Sequence, residues 1–447
     1  MLARRAGSTA RLAARSEALA RRGSFLQHGR MSDWFADAGL GIFVHWDHAS
    51  QQGLELSWPL VGGNFALTRC QDVSVAQYHS SAATFDPKRF DARVLAETAR
   101  KAGARYLVFT TKHHSGYAMF KTKTSRFSVE HSPCKRDLVA EVADAVRAAG
   151  LRIGFYFSLS DWSHPDYPAF RDEDRPYSVG KSPPLPSPDQ WTRYLAAMRE
   201  QLTELLTGYG RVDLLWFDGG WERPFAMWKG DELIPYVRSL QPDILINDRL
   251  YGYGDYDTPE QFVPPKPLPR RWETCLTMNE SWGYSPTDTE YKSARRLVHT
   301  LAEVRGKGGN LLLNVGPTGD GALPAEQAER LDAVARWMDA NGESIHDAAP
   351  GLEPWQFYGP STRRGSRLYL HLLARPYDSV TVRGIRVRRV ERVTVLGTGR
   401  ELAFTHRTGI LESLQKDPDG ELTIEVPESA LDDLATVLTI DFRPEGG

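Results

Sequence analysis

Cysteine is scarce. Only Cys70, Cys134 and Cys275 occur in 447 residues, far apart and in no CxxC pair, which excludes a disulfide framework and a thiolate zinc site and predicts free thiols. Charge of one sign is missing as well: 55 Lys and Arg stand against 57 Asp and Glu, a formal net charge of -2 at pH 7. Such a balance leaves no electrostatic footprint for nucleic acid or for a membrane surface. No uninterrupted apolar stretch approaches the roughly 20 residues that a spanning helix needs. There is no HExxH helix, and "GKGGN" (306–310) lacks the Lys-Ser/Thr that completes a phosphate loop. Internal repeats and low-complexity tracts are absent too.

The first 30 residues are rich in Arg, Ala and Ser, with the single acid Glu17 and no apolar h-region. That composition is transit-peptide-like and unlike a secretory signal, and a true start at Met31 explains it equally well. Residues 1–30 are therefore expected to be an unstructured or mis-assigned extension, and the protein is expected to be cytoplasmic. The length suggests one large barrel plus an appendage, or two to three units.

From Met31 to about residue 350 two periods alternate. "LGIFVHW" (40–46), "ARYLVFTTKHH" (104–114), "LRIGFYFSLS" (151–160), "VDLLWFD" (212–218), "DILINDR" (243–249) and "GGNLLLNVGP" (308–317) read as buried strands. Between them lie amphipathic helices such as "DLVAEVADAVRAAG" (137–150), where Leu138, Val142, Ala145, Val146 and Ala149 share a face and Gly150 can cap the end. Alternation over some 300 residues predicts parallel βαβ units, and a (β/α)8-like barrel over 31–350 fits that length better than an open doubly wound sheet. Residues 351–447 change pattern: "SRLYLHLLARP", "SVTVRGIRV", "RVERVTVLG", "ELTIEVP" and "ATVLTIDF" are short strands between turn residues, which predicts an antiparallel β-sandwich. The Pro- and Ser-rich "YSVGKSPPLPSPDQ" (177–190) reads as a long loop over the barrel mouth.

In such a barrel the carboxyl ends of the strands point into the mouth. His45, His113, His114, Asp218, Asn247, Asp248 and Arg249 all stand at those ends. Asp218, followed by two glycines that let the backbone turn, is placed as a reactive carboxylate, although an Asp capping the next helix would look the same. The histidines invite a metal reading, but successive residues on a strand face opposite ways, so His113 and His114 cannot both be ligands unless the strand has already broken. Hydrogen bonding of substrate hydroxyls suits them better, and neither metal nor cofactor is expected. The generous aromatic content, 11% with 12 Trp, suits a pocket for a ligand with an apolar face as well as ordinary core packing.

Nine motifs in order, "GIFVHWDHAS", "KHHSGYAMF", "KRDLVAEVADAVR", "FYFSLSDW", "LLWFDGG", "INDR", "GDYDTPEQF", "WETCLTMNESWGY" and "GGNLLLNVGPTGDG", resemble the α-L-fucosidases of glycoside hydrolase family 29. The resemblance spans most of residues 31–345. It implies a barrel with a C-terminal β-sandwich and retaining exo-hydrolysis of terminal α-L-fucosyl residues from an oligosaccharide or glycoconjugate through a glycosyl-enzyme intermediate. By motif it implies that Asp218 is the nucleophile and that Glu260 of "TPE" or Glu273 of "WETC" is the acid/base, with Glu260 favoured because it follows Asp218 in a loop off the next strand. It further implies that His45, His113, His114, Trp216 and Arg249 hold the sugar, with Tyr156 and Trp58 beside them.

Two departures from the family pattern stand out. Ser57-Trp58 in "LELSWPL" replaces a common Glu-Trp pair, with Glu55 two residues away as a substitute, and "HWDHAS" in place of "HWG" adds Asp47 and His48, expected near the mouth. Either change could shift specificity toward galactose-configured sugars, and a catalytically impaired fucose-binding protein and a metal-dependent hydrolase are the remaining alternatives. Oligomeric state stays open, homo-oligomers included.

Overall fold

The computed structural model describes residues 34–61, 73–167, 171–174, 184–251 and 253–444. The extension over 1–30, Cys70 and the first half of the proline-rich loop at 177–190 lie outside the described residues.

Seven parallel strands build the amino-terminal part: β1 (Leu40–Val44), β2 (Tyr106–Lys112), β3 (Arg152–Ser158), β4 (Leu214–Asp218), β5 (Leu245–Ile246), β6 (Glu273–Thr277) and β7 (Asn310–Val315). Their order is β5-β4-β3-β2-β1-β7-β6, with Gly41 opposite Tyr106, Gly154 opposite Leu214 and Leu40 opposite Leu311. Nearly every strand residue is buried, because helices cover the outside and side chains fill the inside; such strands read as continuous apolar runs. Gly41 is needed for that filling, since a Cβ there would lie 2.4 Å from the ring of Tyr106.

The two edge strands do not pair with each other. The segment 255–261 runs between them, through parallel bridges of Asn247 to Tyr256, Asp257 to Trp272 and Glu260 to Cys275. Asp255 N donates to Ile246 O (2.7 Å), Glu273 N to Asp257 O (2.9 Å) and Cys275 N to Pro259 O (3.1 Å). This segment is the eighth stave and closes the ring in chain order. It is irregular because Pro259 has no N–H to give to a ladder, and because the chain must first cross Asn247 so closely that a Cβ on Gly254 would meet its carbonyl oxygen at 2.2 Å.

Helices Ala92–Lys101, Leu138–Ala148, Pro188–Gly208, Gly230–Leu240, Ala294–Gly306 and Ala325–Asn341 wrap the barrel. Four begin at the caps Asp91, Asp137, Ser187 and Ser293, whose side-chain oxygens accept from backbone N–H groups of the first turn.

Eight further strands follow: β8 (Ala349–Pro350), β9 (Ser361–Arg364), β10 (Arg367–Leu372), β11 (Ser379–Arg386), β12 (Val390–Val395), β13 (Phe404–Arg407), β14 (Asp419–Glu425) and β15 (Thr436–Phe442). They form antiparallel sheets of order β12-β15-β10-β9-β8 and β11-β14-β13. Leu368 and Leu370 of β10, Leu438 and Ile440 of β15, Val380 and Val382 of β11 and Leu422 and Ile424 of β14 share one core between the sheets. The reverse face of the larger sheet is buried too: Tyr369 and Val437 pack into the barrel core, and Trp337 Nε1 donates to Ala435 O at 2.8 Å. The (β/α)8-like barrel followed by an antiparallel β-sandwich is thus the architecture of the chain.

Candidate active site

The carboxyl ends of β1 to β4 converge on Asp218. His45 directly follows β1, and β2 ends at Lys112 after a register shift between Thr110 and Lys112. The strand has therefore broken before His113 and His114, and both rings turn to the mouth, with centroids 4.2 Å apart. Opposite-facing side chains, expected for an intact strand, do not occur here.

All three histidines are buried. Burial pushes His45 and His114 down to about 3 and His113 well below its ordinary value, with neighbouring positive charge adding to the effect. They are neutral imidazoles at neutral pH, and their partners set the tautomers. Asn314 Nδ2 donates to Trp282 O (2.7 Å), so its Oδ1 accepts from His45 Nδ1 at 2.7 Å. Ser158 Oγ donates to Ser160 O (2.8 Å) and so accepts from His114 Nδ1 at 2.7 Å. In both rings Nε2 is left as an acceptor; that of His114 is buried, has no hydrogen-bond partner and lies 3.8 Å from Asp218 Oδ2. Ser57 Oγ accepts from Ser115 N and meets His113 Nδ1, each at 2.7 Å.

Asp218 Oδ2 accepts from the Tyr156 hydroxyl at 2.8 Å. Oδ1 accepts no hydrogen bond and lies 3.7 Å from Arg249 Nη1. Burial raises the Asp218 pKa, while Arg249, the Tyr156 hydroxyl and the Gly219 N–H work the other way. The floor beneath is aromatic: Tyr156 stacks on Trp216 with centroids 5.6 Å apart, and Phe43 closes against both.

Arg249 connects the two carboxylates of the mouth. Its Nε donates to Thr258 Oγ1 (2.8 Å), its Nη2 lies 2.8 Å from Glu260 Oε2, and its guanidinium sits 4.9 Å from the Trp216 ring centre. Glu260 comes from the irregular eighth stave and its side chain is 40% exposed. Trp58 stands edge-on to His114 at 5.4 Å.

Glu273 lies elsewhere. It opens β6 at the amino end of the barrel, fully buried, and accepts from Trp216 Nε1 (3.0 Å) and from the Tyr106 hydroxyl. Burial pushes it up to about 7. The structure therefore brings His45, Trp58, His113, His114, Tyr156, Trp216, Asp218, Arg249 and Glu260 together and leaves Glu273 beneath the floor, holding Trp216.

The departures resolve differently from expectation. Asp47 and His48 do not face the mouth: Asp47 caps the 3-10 helix His48–Gln52 through Ala49 N (2.8 Å), and His48 Nδ1 meets Ser81 Oγ (2.7 Å). Nor does Glu55 offer a carboxylate to a sugar, because its oxygens accept from Trp282 N (2.6 Å) and Gly283 N (2.9 Å). That clamp positions Trp282, which sequence reasoning missed; its ring lies 4.8 Å from that of His45. Asn314, polar between Leu313 and Val315 in "NLLLNV", was the available signal for the His45 partner. Among the described residues no group of three His, Cys, Asp or Glu side chains is arranged to hold a metal ion.

Known proteins resemble the chain in both sequence and fold. The family model described as Alpha-L-fucosidase matches residues 10–343. Tissue alpha-L-fucosidase of Bos taurus is 30% identical over 431 residues, covering 88% of this chain and 86% of that protein. Among solved structures, alpha-L-fucosidase isoenzyme 1 from Paenibacillus thiaminolyticus superposes with a TM-score of 0.79 at 32% identity, covering 92% of this chain and 98% of the other. A family 29 α-L-fucosidase from Bacteroides thetaiotaomicron, trapped as a covalent intermediate with 2-fluoro-fucosyl fluoride, gives 0.78 at 25% identity over 94% and 98% of the two chains. With a family match over most of its length and a solved fucosidase fold that covers nearly all of it, the chain belongs to the α-L-fucosidase family of glycoside hydrolases.

Proposed function

We propose that the protein hydrolyses terminal α-L-fucosyl residues of oligosaccharides or glycoconjugates with retention of configuration, Asp218 acting as nucleophile and Glu260 as acid/base. The observation that carries this reading is Arg249, one guanidinium facing Asp218 at 3.7 Å and Glu260 at 2.8 Å, with Glu273 sealed beneath. Tyr156 engages Oδ2 of Asp218 and leaves Oδ1 to attack the anomeric carbon. As the glycosidic bond breaks, the electron pair goes to the leaving oxygen and Glu260 supplies the proton. Once the leaving group departs, the ionised Glu260, paired with Arg249, takes a proton from water as it attacks the intermediate.

Sugar recognition follows from the neutral histidines. Nε2 of His45 and of His114 accept from hydroxyls without adding charge to a dry site, and the walls of Trp58 and Trp282 suit the apolar face and methyl group of a 6-deoxy sugar.

Aryl α-L-fucoside hydrolysis by wild type, Asp218→Asn, Glu260→Gln and Glu273→Gln, each with and without azide, tests the reading. Asp218→Asn is expected to be inactive, and azide with Glu260→Gln is expected to give the α-fucosyl azide by attack on the accumulated intermediate. If Glu273→Gln yields that product instead, the acid/base assignment moves; if wild type is inactive on fucosides, the function itself is wrong.

A further inference from the structure

The loop after β4 is pinned with unusual thoroughness. Gly219 is left-handed (φ 75°), and a Cβ there would come 2.3 Å from Ser160 Oγ; one on Gly220 would come 2.5 Å from Arg249 O. Trp228 Nε1 donates to Gly220 O (2.8 Å), and the Tyr251 hydroxyl donates to Trp221 O (3.2 Å) and Arg223 O (3.0 Å). Glu222 is locked by Trp162 Nε1 at 2.8 Å and by the Tyr167 hydroxyl. Tyr251 itself sits at φ 49°, a strained conformation of the kind that collects at ligand sites.

This rigid frame presents two rings to solvent. Trp221 is 48% exposed and Tyr251 49%, while the other side of Trp221 stands edge-on to His114 at 5.3 Å. The first ring is three residues from Asp218, and the second is two residues from Arg249, the partner of Glu260. A frame held this tightly around half-exposed aromatics is a preformed stacking surface at the lip of the site.

We propose that Trp221 and Tyr251 form the leaving-group subsite, taking the ring directly attached to fucose and selecting leaving groups with a flat apolar face, whether the C–H face of a pyranose or an aryl aglycone. This rests on the fucosidase reading above. Fucose occupies the pocket below, and the departing ring leaves between the aromatic pair while its oxygen takes the proton from Glu260.

The test compares kcat/KM on α-L-fucosyl fluoride, whose leaving group is too small to reach the lip, with that on the fucosyl disaccharide wild type cleaves fastest, chosen from a panel differing in linkage. For Trp221→Ala the disaccharide-to-fluoride ratio is expected to fall about tenfold or more, with partial recovery in Trp221→Phe and a smaller fall in Tyr251→Ala. Equal losses on both substrates would assign Trp221 to the fucose pocket or to loop integrity and overturn the proposal; an unchanged ratio overturns it as well. Wild type that turns over neither substrate would sink the fucosidase reading, and the subsite with it.

Discussion

Replacing Glu273 by Gln separates a structural carboxyl from a catalytic one. In the folded protein burial lifts Glu273 from 4.5 to about 7, so between those values the native state holds a proton that the unfolded chain has released. Stability is therefore full below about pH 4.5 and falls as pH rises toward 7, by 1.36 kcal/mol for each pH unit of difference, or about 3 kcal/mol in all. Gln removes that penalty and keeps the contacts: its oxygen accepts from Trp216 Nε1, and its amide donates to the Tyr106 oxygen. For a chain of 447 residues, at about 2.1 cal/mol/K of unfolding entropy per residue, 3 kcal/mol moves the melting midpoint by about 3 °C. Thermal melts at about pH 5 and about pH 8.5 should show the two proteins nearly level in acid and Glu273→Gln ahead by roughly that amount in base. Activity should stay within about tenfold of wild type, since only the seating of Trp216 is touched. A variant that melts like wild type at both pH values yet loses about a thousandfold in kcat would refute the assignment, because that is the signature of a general acid.

Tyr156→Phe deletes the hydrogen bond to Asp218 Oδ2; bonds to charged groups are worth about 1.5 to 3 kcal/mol, so kcat/KM should drop roughly 10- to 100-fold with an unaltered melt, and a drop under about twofold would contradict the geometry. Ser57→Ala leaves the buried Ser115 N–H without its acceptor, predicting a loss of about 1 to 3 kcal/mol in stability by denaturant titration, with a raised KM as His113 loses its anchor. Burial holds His45, His113 and His114 below the ordinary histidine value, so the unfolded chain binds more protons below about pH 6.5 and stability declines as pH falls from there; a His114→Gln melt that declines as steeply as wild type would count against this. Leu438→Ala, in the sandwich core, should cost about 2 to 5 kcal/mol, read as a shift in the denaturant midpoint.

The barrel was legible because its strands are buried on both faces and so appear as unbroken apolar runs. Where that logic fails, so does the reading. β6 reads "ETCLT", polar in composition, because Glu273 is satisfied inside the barrel and Thr274 Oγ1 donates to Phe262 O at 2.7 Å; no periodicity announces such a strand. The same hidden burial kept Glu273 in view as the alternate to the favoured Glu260, although Glu260 lies on a stave at the mouth and Glu273 starts a strand at the floor. At His113 and His114 the exception the sequence left open is the one realised, because the strand breaks before them. "HWDH" suggested extra polar groups at the mouth, but the chain turns into a 3-10 helix at His48 and buries them.

The irregular eighth stave explains why Glu260, the proposed acid/base, stands where it does. A regular strand would fix side-chain direction by its pleat and hold Glu260 to a single register with β6. With Pro259 withholding one ladder bond and Gln261 at φ 58°, the backbone around Glu260 is bent, yet Thr258 on the same stave anchors Arg249 at 2.8 Å and Arg249 holds Glu260 at the same distance. The carboxyl is therefore positioned by a side-chain relay rather than by sheet geometry. That predicts a specific weakness: Thr258→Val, nearly isosteric, removes the hydroxyl anchor of Arg249 without emptying space. It should slow hydrolysis of fucosides with poor leaving groups, which need the proton from Glu260, more than that of activated aryl fucosides or the fluoride, which do not. Equal slowing across leaving groups would mean that Arg249 acts on Asp218 alone and that Glu260 is not the group it positions.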